Sequence, residues 1–296
     1  MTATTASPRA ATETPASHEP GWRGHLSLHY RHEDGATRVH DRHSGPLRIL
    51  RSLYPEGPAI CHSVLIHPPA GIAGGDRLSI EAQLATGSHA LLTTPGATRF
   101  YRSLGEPALQ TVEVHVAASA RLEWLPLETL CHRQALAENR MRFDLAPGAE
   151  MIGWDVLALG LPASGQPFDE GRYTQQVELP GVWLERGTLD GRDTRLLQSP
   201  LGLAGHGVVA TLWFAAGGPL ATERCGALLD AAREAARSLS PELPAGSTSP
   251  HAQVVVMRAL AHRVEPAMAL LRAVWAKWRH LAWGLGDRHA PRVWQT

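Results

Sequence analysis

Residues His67–Ser103 read HPPAGIAGGDRLSIEAQLATGSHALLTTPGATRFYRS, and this stretch decides the fold class. His67-Pro68-Pro69 ends whatever strand comes before, because proline cannot donate to a sheet ladder. Gly71, Gly74 and Gly75 free the backbone for positive φ or close approach, and they present Asp76 and Arg77 from a turn. A period of two follows, with Leu78, Ile80, Ala82 and Leu84 alternating with Ser79, Glu81, Gln83 and Ala85. That pattern predicts a half-buried strand. Thr86-Gly87-Ser88 turns the chain, Ala90–Thr94 predicts a second strand, and Pro95-Gly96 leads to Arg99-Phe100-Tyr101-Arg102.

Glycines before an acid also suggest a phosphate cradle. The stretch has no G-x-G-x-x-G at a strand-to-helix junction and no Walker lysine, and a strand follows Gly75 where a helix N-terminus would be needed. A plain β-turn with a solvated Asp76 accounts for the same residues.

The alternation extends outward in both directions. Leu26, Leu28 and Tyr30 precede an Asp34-Gly35 hairpin turn, and Leu47 and Ile49 start another strand. Ala59–Ile66 is an apolar run of the buried kind. Further on come Val112, Val114 and Val116, then Leu122 and Trp124, then Met141, Phe143 and Leu145. Met151–Leu159 is apolar around Asp155, and Tyr173–Leu179 and Val182–Arg186 flank a Pro180-Gly181 hairpin turn. This spacing of turn signals is that of a mainly β chain, and periodicity leaves sandwich, barrel and solenoid open. No internal repeat of fixed length is visible, which counts against a regular solenoid.

Two helices are predicted late, at about 221–239 and 266–283. The first is alanine-rich and stops at Ser240-Pro241; the second has Pro266 at its first position and Gly284 at its end. Leu270, Leu271, Val274, Trp275, Trp278, Leu281 and Ala282 make its apolar stripe, with Arg272, Lys277 and Arg279 mostly off it. The stripe reads as core, and in part as a docking face for a partner protein, where Trp and Arg are enriched. Leu243–Ser249 reads as a linker and Gln253–Met257 as a short strand.

In 296 residues there are 28 basic and 28 acidic side chains. That balance argues against nucleic acid or an anionic membrane as a partner. No apolar run approaches the roughly 18 residues of a membrane span. Residues 1–20 carry no apolar core and read as a disordered tail, not a signal peptide. Residues 21–296 read as one domain. Three cysteines, Cys61, Cys131 and Cys225, give no disulfide framework and fit a cytoplasmic location.

Sixteen histidines are scattered without metal-site spacing. His25 and His29, two apart on one face of a strand, stand about 13 Å apart and cannot share an ion. The acids at apolar positions carry more information. Asp155 sits inside Met151–Leu159, and Glu185 follows Val182-Trp183-Leu184. A buried carboxylate must be paired, hydrogen-bonded, hydrated or metal-bound. A salt bridge to Arg186, Arg192 or Arg195 satisfies that need. So does a wet passage lined by Asp76, Asp155 and Glu185, whose oxygens hold a cation such as Ni²⁺ loosely enough to let it move on.

Beyond these local patterns, HPPAGIAGGDRL followed by LLTTPGATRFYRS resembles the urease accessory protein family UreD, also called UreH. Four further blocks resemble the family in order: GPLRILRSLYPEG (Gly45–Gly57), LEWLPLETL (Leu122–Leu130), GWDVLALGLPASGQPFDEG (Gly153–Gly171) and PRVWQT (Pro291–Thr296). The resemblance implies a helix-like stack of mixed β-sheet with two helices, and no catalytic activity. It implies binding to apo-urease with the helical partner UreF and the GTPase UreG in a hetero-oligomer, and nickel in transit with no tightly bound cofactor. By position in the matching blocks, Asp76, Asp155 and Glu185 are its conduit candidates, with Glu56 and Thr98 weaker ones. Leu161 and Gln166 depart from the family's usual Arg and Glu, and Cys131–Ala135 replaces a more aromatic block. A metal-free adaptor between UreF and urease, and a β-solenoid polysaccharide hydrolase using an Asp/Glu pair, are the alternatives.

Overall fold

The computed structural model describes residues 21–239, 241–286 and 290–295. The expected tail, residues 1–20, lies outside them, as does Thr296. In chain order the first strands are β1 (Arg23–Glu33), β2 (Ala36–Ser44), β3 (Arg48–Leu53), β4 (Ile60–Ile66), β5 (Arg77–Leu84) and β6 (His89–Thr93). Next come β7 (Thr98–Phe100), β8 (Ala108–Val116), β9 (Arg121–Trp124), β10 (Thr129–Cys131), β11 (Leu136–Leu145) and β12 (Glu150–Leu159). The last are β13 (Arg172–Leu179), β14 (Trp183–Asp190), β15 (Val208–Ala216), β16 (Ala245–His251) and β17 (Val254–Ala261). Three α-helices occur among the described residues: α1 (Thr194–Gln198), α2 (Thr222–Leu239) and α3 (Val264–Trp283).

The chain shuttles between two sheets. One runs β14-β13-β11-β8-β5-β1-β2, the other β16-β17-β15-β12-β9-β6-β4-β3 with β10 and β7 appended. Successive returns to a sheet pair in parallel, so Ile60, His89, Arg121 and Glu150 stand level across four strands. Each coil takes roughly 30 residues, within the range of solenoid repeats. The stack is therefore solenoid-like despite the missing sequence repeat, because the register needs only inward apolar positions and tolerates connectors of any wording. Antiparallel strands close the ends: β2 and β14 on one sheet, and β3 and the β15-β17-β16 meander on the other.

Burial explains the strand patterns. In β5 the burial alternates residue by residue, since one face meets water. In β12 and β15 nearly every residue is buried, because the larger sheet is covered on both sides. Leu26, Leu28, Leu78, Val112, Val114, Phe143 and Trp213 fill the space between the sheets. Trp154, Phe214, Leu228, Leu271, Trp275 and Trp278 fill the second core, between the larger sheet and α2 and α3. Among the described residues no helix is long and apolar enough to cross a membrane.

Four local expectations need correction. Leu243–Ser249 is no linker: all of it after Pro244 lies in β16, paired antiparallel to β17. Helix α3 begins at Val264, so Pro266 sits third, still within the first turn, where its missing N–H leaves no gap. The tryptophans of its stripe are interior and are not a docking face, with Trp275 at 2% and Trp278 at 0% exposure. Arg279, expected off the stripe, is fully buried. Its guanidinium binds Glu123 and Glu56, which in turn contact His89 and His62.

Candidate functional site

Inward positions on the smaller sheet hold apolar side chains such as Leu78, Val112, Met141 and Tyr173. Three inward positions hold amides: Gln110 on β8, Asn139 on β11 and Gln175 on β13. Register sets them side by side, Gln110 opposite Asn139 and Asn139 opposite Gln175. Gln110 Nε2 donates to Asn139 Oδ1 at 3.3 Å. The larger sheet presents a second polar row, with Asp155 opposite Thr211 and Thr211 opposite Arg258. Gln175 Nε2 bridges the sheets to Asp155 Oδ2 at 2.7 Å. Glu185 on β14 bridges them again, its carboxylate held by Arg258 Nη2 and by Nε at 3.4 Å. A polar seam thus crosses an otherwise apolar core.

Asp155 is the costly residue in that seam. It is 5% exposed, and among the described residues no cation stands within ion-pair distance of it. The expected bridge to Arg186, Arg192 or Arg195 does not form for either acid, since Glu185 takes Arg258. Burial pushes the Asp155 carboxyl up to about 6; the Gln175 hydrogen bond opposes this and the charge of Glu185 adds to it. Asp155 lines a cavity of about 460 Å³ together with Gln110, Asn139, Thr129, Thr98 and His67. Two buried nitrogens on its wall, Trp124 Nε1 and His67 Nε2, have no hydrogen-bond partner in the protein. Buried polar groups of this kind are satisfied by water or ligand, so the cavity has a wet side.

The other candidates fall at different places. Thr98 lines the cavity, while its backbone N–H holds Glu128 O at 2.9 Å. Asp76 acts as a backbone clip, with Oδ1 accepting from Trp22 N at 2.7 Å and Oδ2 from Ala73 N at 2.8 Å. Its charge also reaches His67, whose pKa burial pushes down and Asp76 pulls back up. Asp76 therefore holds backbone in place and is not solvated, being 8% exposed. Glu56 lies on the opposite face of the larger sheet. Burial raises its pKa, but hydrogen bonds from His62 and Arg279 outweigh that and hold it down to about 2. The fold thus brings Asp155 and Thr98 to one cavity and Glu185 within electrostatic reach of Asp155, while Asp76 and Glu56 do not line it. Among the described residues no group of three His, Cys, Asp or Glu side chains is placed to enclose a metal ion.

Gln110, Asn139, Gln175, Arg258 and Trp124 were not anticipated. A signal was present for the amides, which occupy inward slots of period-two strands where apolar residues belong. The two departures also prove to be neighbours. Leu161 N donates to Gln166 O at 2.7 Å and Gln166 N to Leu161 O at 3.1 Å, across the short turn Pro162–Ser164.

With this geometry in place, the model of the family described as "UreD urease accessory protein" matches residues 23–295. The chain belongs to the UreD family. The urease accessory protein UreD of Paracidovorax citrulli is 58% identical over 273 residues, covering 92% of this chain and 99% of its own length. Those of Leptothrix cholodnii and Variovorax paradoxus are each 56% identical, covering 93% of this chain and 99% of theirs. All three carry a name that makes them accessories of urease and not the enzyme itself.

Proposed function

We propose that this chain is a cytoplasmic maturation factor that scaffolds an activation complex of apo-urease with UreF and UreG and passes Ni²⁺ between its two sheets. It has no reaction of its own in this reading. Family membership supports the urease context, and one observation supports the passage: a carboxylate without a cation, Asp155, lining an inter-sheet cavity with orphaned polar atoms. A fold that only bridges partners gains nothing from such a group, whereas an ion in transit does. Carboxylate, amide and water oxygens bind a borderline dication weakly enough to release it. Asp155 and Glu185 supply the charge, Thr98 and the Gln110–Asn139–Gln175 ladder supply neutral oxygens, and Asp76 holds backbone in place.

The test is urease nickel content and activity in cells expressing Asp155→Asn, Glu185→Gln or both, beside a pull-down of the complex. Partial loss for each single variant and a compounded loss for the double, with an intact pull-down, is the expected result. Full activation by the double variant refutes the passage and leaves the metal-free adaptor reading.

A further inference from the structure

We infer that Arg258 sets the charge selectivity of the passage: its guanidinium neutralises Glu185 until a divalent cation takes its place. The inference rests on the passage reading and adds to it the residue that decides which ions enter. Three features of the seam carry it. Arg258 lies two strands from Asp155 in the Asp155–Thr211–Arg258 row, about 10 Å at ordinary strand spacing. Glu185 takes Arg258 with both carboxylate oxygens, and its charge acts on Asp155 as well. The pair sits at the rim between the sheets, with side chains 47% and 33% exposed for Arg258 and Glu185, while Asp155 is interior.

The charges then discriminate by valence. Two carboxylates and one guanidinium carry a net charge of one negative. A monovalent cation that displaced Arg258 from Glu185 would exchange one unit charge for another and lose the charge-assisted hydrogen bonds of the guanidinium. A divalent cation between Asp155 and Glu185 is balanced by both carboxylates, and Arg258 can swing into water from its half-exposed position without leaving a buried charge behind. The orphaned Trp124 Nε1, in a side chain only 3% exposed, marks the adjoining cavity as a space that takes up a polar occupant. Valence, and not a fixed coordination polyhedron, is then what the seam reads.

The experiment is equilibrium dialysis of the full-length chain against nickel chloride, in potassium chloride or in choline chloride of equal ionic strength. The chains compared are unaltered, Arg258→Met, Arg258→Lys and Asp155→Asn/Glu185→Gln. Losing the guanidinium should tighten nickel binding roughly tenfold, the effect of one unit charge at this range in a partly wet site. It should also make that binding weaker in potassium than in choline, because the uncovered carboxylates now attract any monovalent cation small enough to reach them, which bulky choline is not. Arg258→Lys should behave like the unaltered chain on both counts. A misfolded chain can also gain nickel through newly exposed histidines and cysteines, so each variant is required to keep the unaltered chain's circular dichroism and a cooperative melting transition. If the double carboxylate variant binds less nickel while Arg258→Met binds no more than the unaltered chain, the selectivity role is overturned and the passage stands. If the double variant binds as the unaltered chain does, the passage reading falls, and the role of Arg258 with it.

Discussion

Replacing Asp155 by Asn should stabilise this protein while impairing it. Its carboxyl is moved from an ordinary 3.8 to about 6, chiefly by burial. A displacement of that size corresponds to about 3 kcal/mol of penalty on the ionised form. The sign follows from linkage. A carboxyl with a raised folded pKa holds its proton longer in the folded state, so stability is full below 3.8, declines as pH rises to about 6, and stays reduced above it. Asparagine removes the ionisation and keeps an oxygen for the Gln175 amide. Its added N–H₂ needs a partner in the cavity, which trims the gain to roughly 1–2 kcal/mol at neutral pH. For a chain of this size that is a rise of several degrees in melting temperature. Urea unfolding of both proteins from pH 4 to pH 8 measures it directly. The variant should be slightly the less stable near pH 4, where the N–H₂ cost stands alone, and its advantage should emerge toward pH 6 and then level off. An advantage that is absent or reversed at pH 7 would mean that the Asp155 carboxylate is already compensated, and the argument that it is held at a cost for function would fail.

Three further expectations concern the framework. Arg279→Met leaves Glu123, which is fully buried, without its cation, and should cost roughly 3–5 kcal/mol in urea unfolding. Adding Glu123→Gln should recover a good part of that, and losses from the two substitutions that simply add would show the pair to be uncoupled. Gly75 has φ +92°, so Gly75→Val should destabilise by roughly 1–2 kcal/mol or more, and normal melting of this variant would remove the strained-turn reading. Asp76→Asn keeps only one of the two oxygens that accept from Trp22 and Ala73, so a loss of roughly 1–3 kcal/mol is expected where a solvated aspartate would show none.

Much of the fold was legible because a strand between water and a core must alternate. Leu78–Leu84, Val112–Val116 and Met141–Leu145 announced themselves that way, and the Asp34-Gly35 turn shows its two positive φ values. Strand β15 did not, because a strand buried on both faces loses the period of two. Strand β16 was hidden by the Gly, Ser and Pro residues that an exposed edge tolerates. Arg279 was misplaced by its charge alone; it lies four residues after Trp275, on the same face, over carboxylates contributed from more than 150 positions earlier. The site was half legible. Asp155 stood out as an acid in an apolar strand, but Gln175 reaches it from the other sheet and Arg258 joins its row through strand pairing two strands away, and local pattern carries no record of either.

The order in which the layers are made has a consequence for biogenesis. Helix α3 is nearly the last element synthesised, yet it covers the outer face of strands laid down far earlier. Until residue 283 has left the ribosome, Trp154, Ile152 and Phe214 have no lid and the larger sheet presents a broad apolar wall. Parallel pairing across coils of roughly 30 residues is also slow to form, because each contact waits for a long loop to close. A chain halted before Val264 therefore completes both sheets and still cannot hide its surface, and it should be found in aggregates or bound to chaperones. Arg279, arriving late to carboxylates already in place, then acts as the fastener of the finished molecule.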